Sequence, residues 1–191
     1  MATGDLGRLI AQFFDAVGRD EVHIYNEFSL QHELGIFLRS KISGLKIQFE
    51  RNVQFFFPNK SEFVKREIDI AAFDPTERVP AFALELKFPR NGQYPEQMFS
   101  FCKDIAFAEQ LVRAGFPNAA VVIFAEDHLF YSGSTEGIYG FFRGGRPLHG
   151  KITKPTGKKD DELDIRGTYT VSWHRLSGKL SYSIIEAQHA S

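Results

Sequence analysis

The sequence predicts an α/β (α+β) fold, with a mixed central β-sheet flanked by helices and a C-terminal β-hairpin. Three observations carry that reading. Apolar residues recur at helical spacing in three segments, and between the second and third of these they alternate with polar residues as strands do. A continuous apolar run, Ala119–Ala125, follows the third helical segment and is short enough to be a strand buried on both faces. No repeat or low-complexity tract divides the 191 residues. One domain is therefore expected over 1–191, with its core over about 26–125 and an extension over about 126–191.

Each element has its own justification. Leu6, Leu9, Ile10, Phe13, Phe14 and Val17 repeat at helical spacing behind Asp5, a suitable N-cap, and Gly18 follows them. A second helix is expected over 26–42, with Leu30, Leu34, Phe37, Leu38 and Ile42 on one face and Gly44 as its stop. Residues 46–57 are rich in β-formers, and 64–73 and 81–88 alternate, which gives three strands. The last two are joined by Asp74-Pro75-Thr76-Glu77-Arg78-Val79-Pro80, a turn-rich link suited to a hairpin. Helical spacing returns over 95–114 and ends at Gly115 and Pro117. Residues 143–167 hold many of the Gly, Lys and Pro residues and read as a long loop or lid. Residues 168–174 and 179–185 alternate around Ser177-Gly178 and read as the closing hairpin.

Composition excludes some functions. With 23 Lys and Arg against 24 Asp and Glu, the formal net charge is -1. A uniformly basic nucleic-acid coat or a polybasic membrane binder is ruled out, because neither could draw affinity from overall charge. Any polyanion would have to be held locally. The single Cys102 cannot form an internal disulfide and lies among apolar neighbours at helical spacing, which suits a reducing, cytoplasmic setting. Twenty Phe against one Trp and two Met read mainly as core. The first residues carry Asp5 and no uninterrupted apolar run, so neither a signal peptide nor a membrane span is expected.

The chemistry concentrates in two strands. In 82–88 the set Phe82, Leu84, Leu86 and Phe88 points one way while Glu85 and Lys87 point the other. Asp69 shares a face with Glu67, opposite Ile68, Ile70 and Ala72. If these strands pair as a hairpin, Asp69 and Glu85 converge on one face. Two carboxylates supply the hard oxygen ligands that Mg²⁺ prefers, and a neighbouring Lys can orient or deprotonate a water and offset charge developing on phosphorus. A surface ion pair on an amphipathic strand is the alternative for so short a pattern. On the second helix Glu27 lies about 20° from the centre of the apolar face at ~100° per residue. A carboxylate there needs a positive partner, either a metal or the helix N-terminus. Glu33 lies roughly 100° off that face and could join at the helix edge. Gln97, Phe101 and Asp104 follow at i, i+4 and i+7 and form one stripe on the third helix.

An acid on an early helix, an Asp on one strand, Glu-x-Lys on the next, then a helix and a strand, resemble the PD-(D/E)XK nuclease superfamily. The resemblance spans roughly residues 26–125 and implies a restriction-endonuclease-like core. Carried over by position, it implies Asp69 and Glu85 as metal-binding carboxylates, Lys87 as the catalytic lysine and Glu27 as the helix acid completing the metal site. It also implies a ligand role for the Leu86 carbonyl. Gln97 with Phe101 resembles the Gln-x-x-x-Tyr motif of RecB-like members, with Phe in place of Tyr, and Ile68 stands where the family name has Pro. Glu33 and Gln97 are accessory candidates.

Other patterns lead elsewhere. Gly145-Arg146-Pro147-Leu148-His149-Gly150-Lys151 fits a phosphate-loop frame, but Ile152 stands where Ser or Thr is required. The six His residues show no ligand spacing, which argues against zinc. No nucleophile elbow is present. Arg143, Arg146, Lys151, Lys154, Lys158 and Lys159 form a basic stretch that is either a phosphate-gripping lid or a solvated loop. The expectation is a nuclease dependent on Mg²⁺ (or Mn²⁺) and acting on DNA, with a homodimer left open. The alternatives are a non-catalytic nucleic-acid-binding or assembly protein on the same fold, and a nucleotide phosphohydrolase using the same carboxylates.

Overall fold

The structure, a computed structural model, describes residues 3–60, 62–90, 92–157 and 161–187. It is a mixed α/β architecture with helices on both faces of a six-stranded sheet. Helix α1 spans Thr3–Gly18 and α2 spans Glu27–Lys41. Asn26 and Ser29 set the start of α2 by a reciprocal cap: Asn26 Oδ1 accepts from Ser29 N at 2.7 Å, and Ser29 Oγ accepts from Asn26 N at 3.0 Å. This cap makes Glu27 the first helical residue.

Strands β1 (Lys46–Asn52), β2 (Glu67–Phe73) and β3 (Pro80–Lys87) form an antiparallel meander. Helix α3 (Tyr94–Ala114) then crosses over so that β4 (Ala119–Ala125) lies parallel to β3. Gly115, at φ 137°, closes α3 in a backbone region that a side chain would disfavour. Two short elements follow, α4 (Tyr139–Arg143) and a separate two-stranded sheet of β5 (Leu148–Thr153) and β6 (Glu162–Tyr169). The chain ends with β7 (His174–Arg175) and β8 (Ser181–Glu186), giving the sheet order β1-β2-β3-β4-β8-β7.

The sheet separates two apolar layers. On one face Ile70, Ala72, Leu84, Leu86 and Val122 meet Leu6, Phe13 and Phe14 of α1 and Leu30, Leu34 and Leu38 of α2. On the other, Ala71, Ala83, Val121 and Ile123 meet Met98, Phe101, Cys102 and Ile105 of α3. β4 is buried along its whole length, as its unbroken apolar run requires. No helix among the described residues is long and apolar enough to cross a membrane.

Four sequence expectations are corrected. The strand expected over 46–57 stops at Asn52, whose side chain accepts from Gln54 N at 2.9 Å and starts a 3₁₀ turn, Val53–Phe55. Its aromatic residues serve a cluster instead, with Phe56 edge-on to Phe73 and Phe116. The strand expected from 64 begins at Glu67, so Lys65 lies in the preceding irregular segment. The loop expected over 143–167 contains most of the β5–β6 pair. Buried Glu109 of α3 pins it, accepting from Gly167 N at 2.6 Å, Tyr169 Oη at 2.9 Å and Arg166 N at 3.1 Å. The closing hairpin is shorter than its alternation suggested, because Thr168 and Tyr169 belong to β6, and β8 also pairs with β4.

Candidate functional site

The site lies where the β2–β3 ladder ends. The last paired residues are Ile70 and Leu84, and the same register continued places Asp69 opposite Glu85. Beyond it, carboxylates take over the backbone donors. Leu86 N donates to Asp69 Oδ2 at 2.7 Å, and Asp69 N donates to Glu85 Oε1 at 3.3 Å. These bonds fix both side chains on the α3 face of the sheet. Asp69 is held from β1 as well. Glu50 adopts φ 47°, costly for a residue other than glycine, between the ladder partners Phe49–Ile70 and Arg51–Ile68. Gln31 of α2 bridges the gap, its Nε2 donating to the Asp69 carbonyl at 2.8 Å and to Glu50 Oε1 at 2.5 Å.

Two ammonium groups join the carboxylates. Lys87 Nζ lies 3.6 Å from Glu27 Oε1, 3.1 Å from Asp104 Oδ2 and 2.9 Å from the Leu86 carbonyl, to which it donates. Glu27 is itself held by Phe88 N, which donates to its Oε2 at 2.9 Å. Lys65 Nζ donates to Glu85 Oε2 and to Asp104 Oδ1 at 3.1 Å, and stands 3.8 Å from Asp69 Oδ1. Asp104 Oδ2 is buried and accepts no hydrogen bond among the described residues, because Lys87 approaches it without hydrogen-bond geometry.

Four carboxylates thus face two ammoniums, a formal excess of two negative charges when all are ionised. Burial and that excess govern the protonation. Asp69, with 15% of its side chain exposed, is pushed up to about 6, chiefly by burial and against the pull of Lys65 and the Leu86 N–H. Glu85 is fully buried, and burial together with Asp69 and Asp104 raises its carboxyl well above the ordinary range. Burial works against the charge of each lysine. Glu85 and Asp104 outweigh it for Lys65, and Asp104 and Glu27 outweigh it for Lys87, so both hold their protons more tightly than a free lysine.

The donor chemistry and the charge excess suit a divalent cation with a preference for oxygen. The arrangement as it stands does not: Lys65 Nζ occupies the position on which Asp69, Glu85 and Asp104 converge. Among the described residues no three His, Cys, Asp or Glu side chains are grouped so as to hold a metal ion.

Of the sequence candidates, Glu27, Asp69, Glu85 and Lys87 meet in this cluster. Glu33 is half-buried on α2, its carboxylate 3.6 Å from His32 Nδ1. Gln97 is half-buried on α3, seven residues before Asp104 and so roughly 10 Å along the helix axis. Phe101 is core, packed on Phe130 and Phe142. Of the basic stretch, three described residues are engaged in local structure. Arg143 donates to the Leu129 and Ser134 carbonyls, Arg146 to that of Gly137, and Lys151 stands 3.7 Å from Glu162. Lys158 and Lys159 lie outside the described residues.

Lys65, Asp104 and Gln31 complete the site and were not assigned to it from the sequence. Asp104 carried a usable signal, being a carboxylate inside an otherwise apolar stripe with Phe101, Ile105 and Ala108. Lys65 carried none, since its segment has no period. No family model, curated protein or solved structure matches this chain.

Proposed function

We propose that the chain is a metal-dependent nuclease of the PD-(D/E)XK type, hydrolysing phosphodiester bonds of DNA. The observation that carries this reading is the convergence of Asp69, Glu85, Lys87 and Glu27, from two adjacent strands and a helix start, into one ion cluster that runs from buried Glu85 to exposed Glu27. The meander, crossover helix and parallel strand agree with the restriction-endonuclease-like core. Asp69 and Glu85 would hold Mg²⁺ or Mn²⁺ once Lys65 withdraws from between them. A bound ion supplies Lewis-acid stabilisation and lowers the pKa of a water.

The chain's own residues do the remainder. The Leu86 N–H anchors Asp69, and Glu27 with the Leu86 carbonyl aims the Lys87 ammonium along the end of β3. There it offsets charge developing on the phosphoryl oxygens. The test is cleavage of DNA with Mn²⁺ or Mg²⁺ by wild type, Asp69→Asn and Lys87→Ala, each checked for folding by circular dichroism. Both variants lose cleavage on this reading, and activity surviving in both sinks it.

One observation favours a second reading, a non-catalytic binding protein on the same fold: Lys65 already supplies a cation to the carboxylates. Titration with Mn²⁺ separates the two. A nuclease binds the ion and loses it on Glu85→Gln, whereas a binding module is indifferent to metal.

A further inference from the structure

We infer that a single strand of nucleic acid is held in a basic groove that leads to the carboxylate cluster. The inference deepens the nuclease reading by naming the form of its substrate and the path that substrate takes. Two adjoining cavities, of about 530 Å³ and 330 Å³, share Lys60 and Phe63 and so form one continuous depression. Arg113 and Arg166 line the outer cavity, and Lys65 and Arg66 line the inner one. Of the charged side chains along the whole depression five are basic and one, Glu62, is acidic. The chain overall carries 23 basic against 24 acidic residues, so this is a local concentration of positive charge on a neutral background.

Much of that charge is free for a ligand. Arg66 and Arg166 are exposed, and neither side chain makes a hydrogen bond or ion pair with the described residues. Lys60 commits one donor, to the Ala114 carbonyl at 3.3 Å, and Arg113 stands 3.7 Å from buried Glu109. The inner end of the groove is Lys65, whose ammonium touches Glu85. A polyanion seated along the groove is thereby led to the carboxylates. Its phosphates offer Lys65 a competing partner and a reason to leave them.

Phe63 selects among polyanions. Its half-buried ring borders both cavities and is backed by Phe57, with ring centroids 6.1 Å apart. Such a ring rewards a ligand with flat apolar faces between its charges, which an unstacked base provides and a paired duplex hides. Single-stranded DNA is the commitment.

Binding tests this without cleavage. Anisotropy of a labelled oligodeoxythymidylate of about 16 nucleotides is followed in EDTA against rising salt, beside a duplex of equal length. Arg66→Ala with Arg166→Ala removes a free charge from each end of the groove and no internal contact. The double variant is expected to weaken strand binding about tenfold or more and to lower the log–log salt slope by about 1.4, at about 0.7 per lost phosphate contact. Phe63→Leu is expected to cost on the order of fivefold for the strand and little for the duplex. Arg8→Ala with Lys41→Ala, on the α1–α2 side, serves as control and is expected to change nothing.

Unchanged affinity and slope in Arg66→Ala/Arg166→Ala overturns the inference, as does an equal loss in the control pair or tighter binding of the duplex. Failure of the nuclease reading looks different. Wild type then binds the strand in this groove but cuts nothing with Mn²⁺, whereas failure of the groove leaves metal-dependent cleavage intact in the double arginine variant.

Discussion

Asp69→Asn should stabilise the metal-free protein at neutral pH. The side chain is 15% exposed and accepts from Leu86 N, a bond that an amide oxygen can keep. Its carboxyl is lifted from 3.8 to about 6, with burial as the largest cause. At about 1.4 kcal/mol per pH unit, holding it ionised costs the folded state roughly 3 kcal/mol. The sign follows from linkage. A carboxyl raised on folding keeps its proton in the folded state over the window from about 4 to about 6, where the unfolded chain has already released it. Wild-type stability therefore falls across that window as pH rises and levels off above it. Asparagine does not titrate, so the variant should match wild type near pH 4 and exceed it by roughly 3 kcal/mol above pH 6. Urea unfolding in EDTA at several pH values reads the difference directly. If Asp69→Asn is instead less stable at neutral pH and the gap does not close on acidification, Lys65 and Lys87 outweigh burial and the electrostatic reasoning is wrong.

Three other perturbations examine other parts of the structure. Lys65→Ala strips the cation from buried Glu85 and Asp104 and from partly buried Asp69, and should cost about 3 kcal/mol or more in EDTA; Mn²⁺ should then raise its melting temperature more than that of wild type, and an equal rise would contradict the competition between ammonium and ion. Glu109→Ala leaves Gly167 N, Arg166 N and the Tyr169 hydroxyl without their acceptor, at about 1–3 kcal/mol for each group left unpaired, so limited proteolysis should cut within β5–β6 faster; an unchanged digestion pattern would show that the pair docks by apolar contact alone. Burial pushes the Cys102 thiol up and shields it, so thiol reagents should label it only in denaturant; labelling of the native protein would mean that α3 packs less tightly than described.

The main elements were legible because their periods are imposed by burial on one side. Leu30, Leu34 and Leu38 of α2 face the sheet at helical spacing, and β4 is apolar throughout because both its faces are covered. The pairing of Asp69 with Glu85 followed from alternation and a hairpin link. What could not be read was set by tertiary contact. Phe55, Phe56 and Phe57 look like strand residues, but each packs into an aromatic cluster, so β1 ends before them. The segment around the β5–β6 pair is rich in Gly and Lys, and the pair is held by its buried Leu148, Ile152, Leu163 and Ile165 and by Glu109, a residue distant in sequence. Lys65 entered the site from an aperiodic segment that only the fold brings against β3. Asp104 was within reach, since a carboxylate on an apolar helical stripe calls for a cationic partner, and Lys65 and Lys87 are those partners.

The most direct measurement is single-turnover cleavage of a labelled single-stranded oligodeoxynucleotide, with and without Mn²⁺, by wild type, Asp69→Asn and Lys87→Ala. Wild type should give metal-dependent product, and each folded variant should lose at least about a hundredfold in rate. Product that forms equally in EDTA, or that persists in both variants, would contradict the nuclease reading.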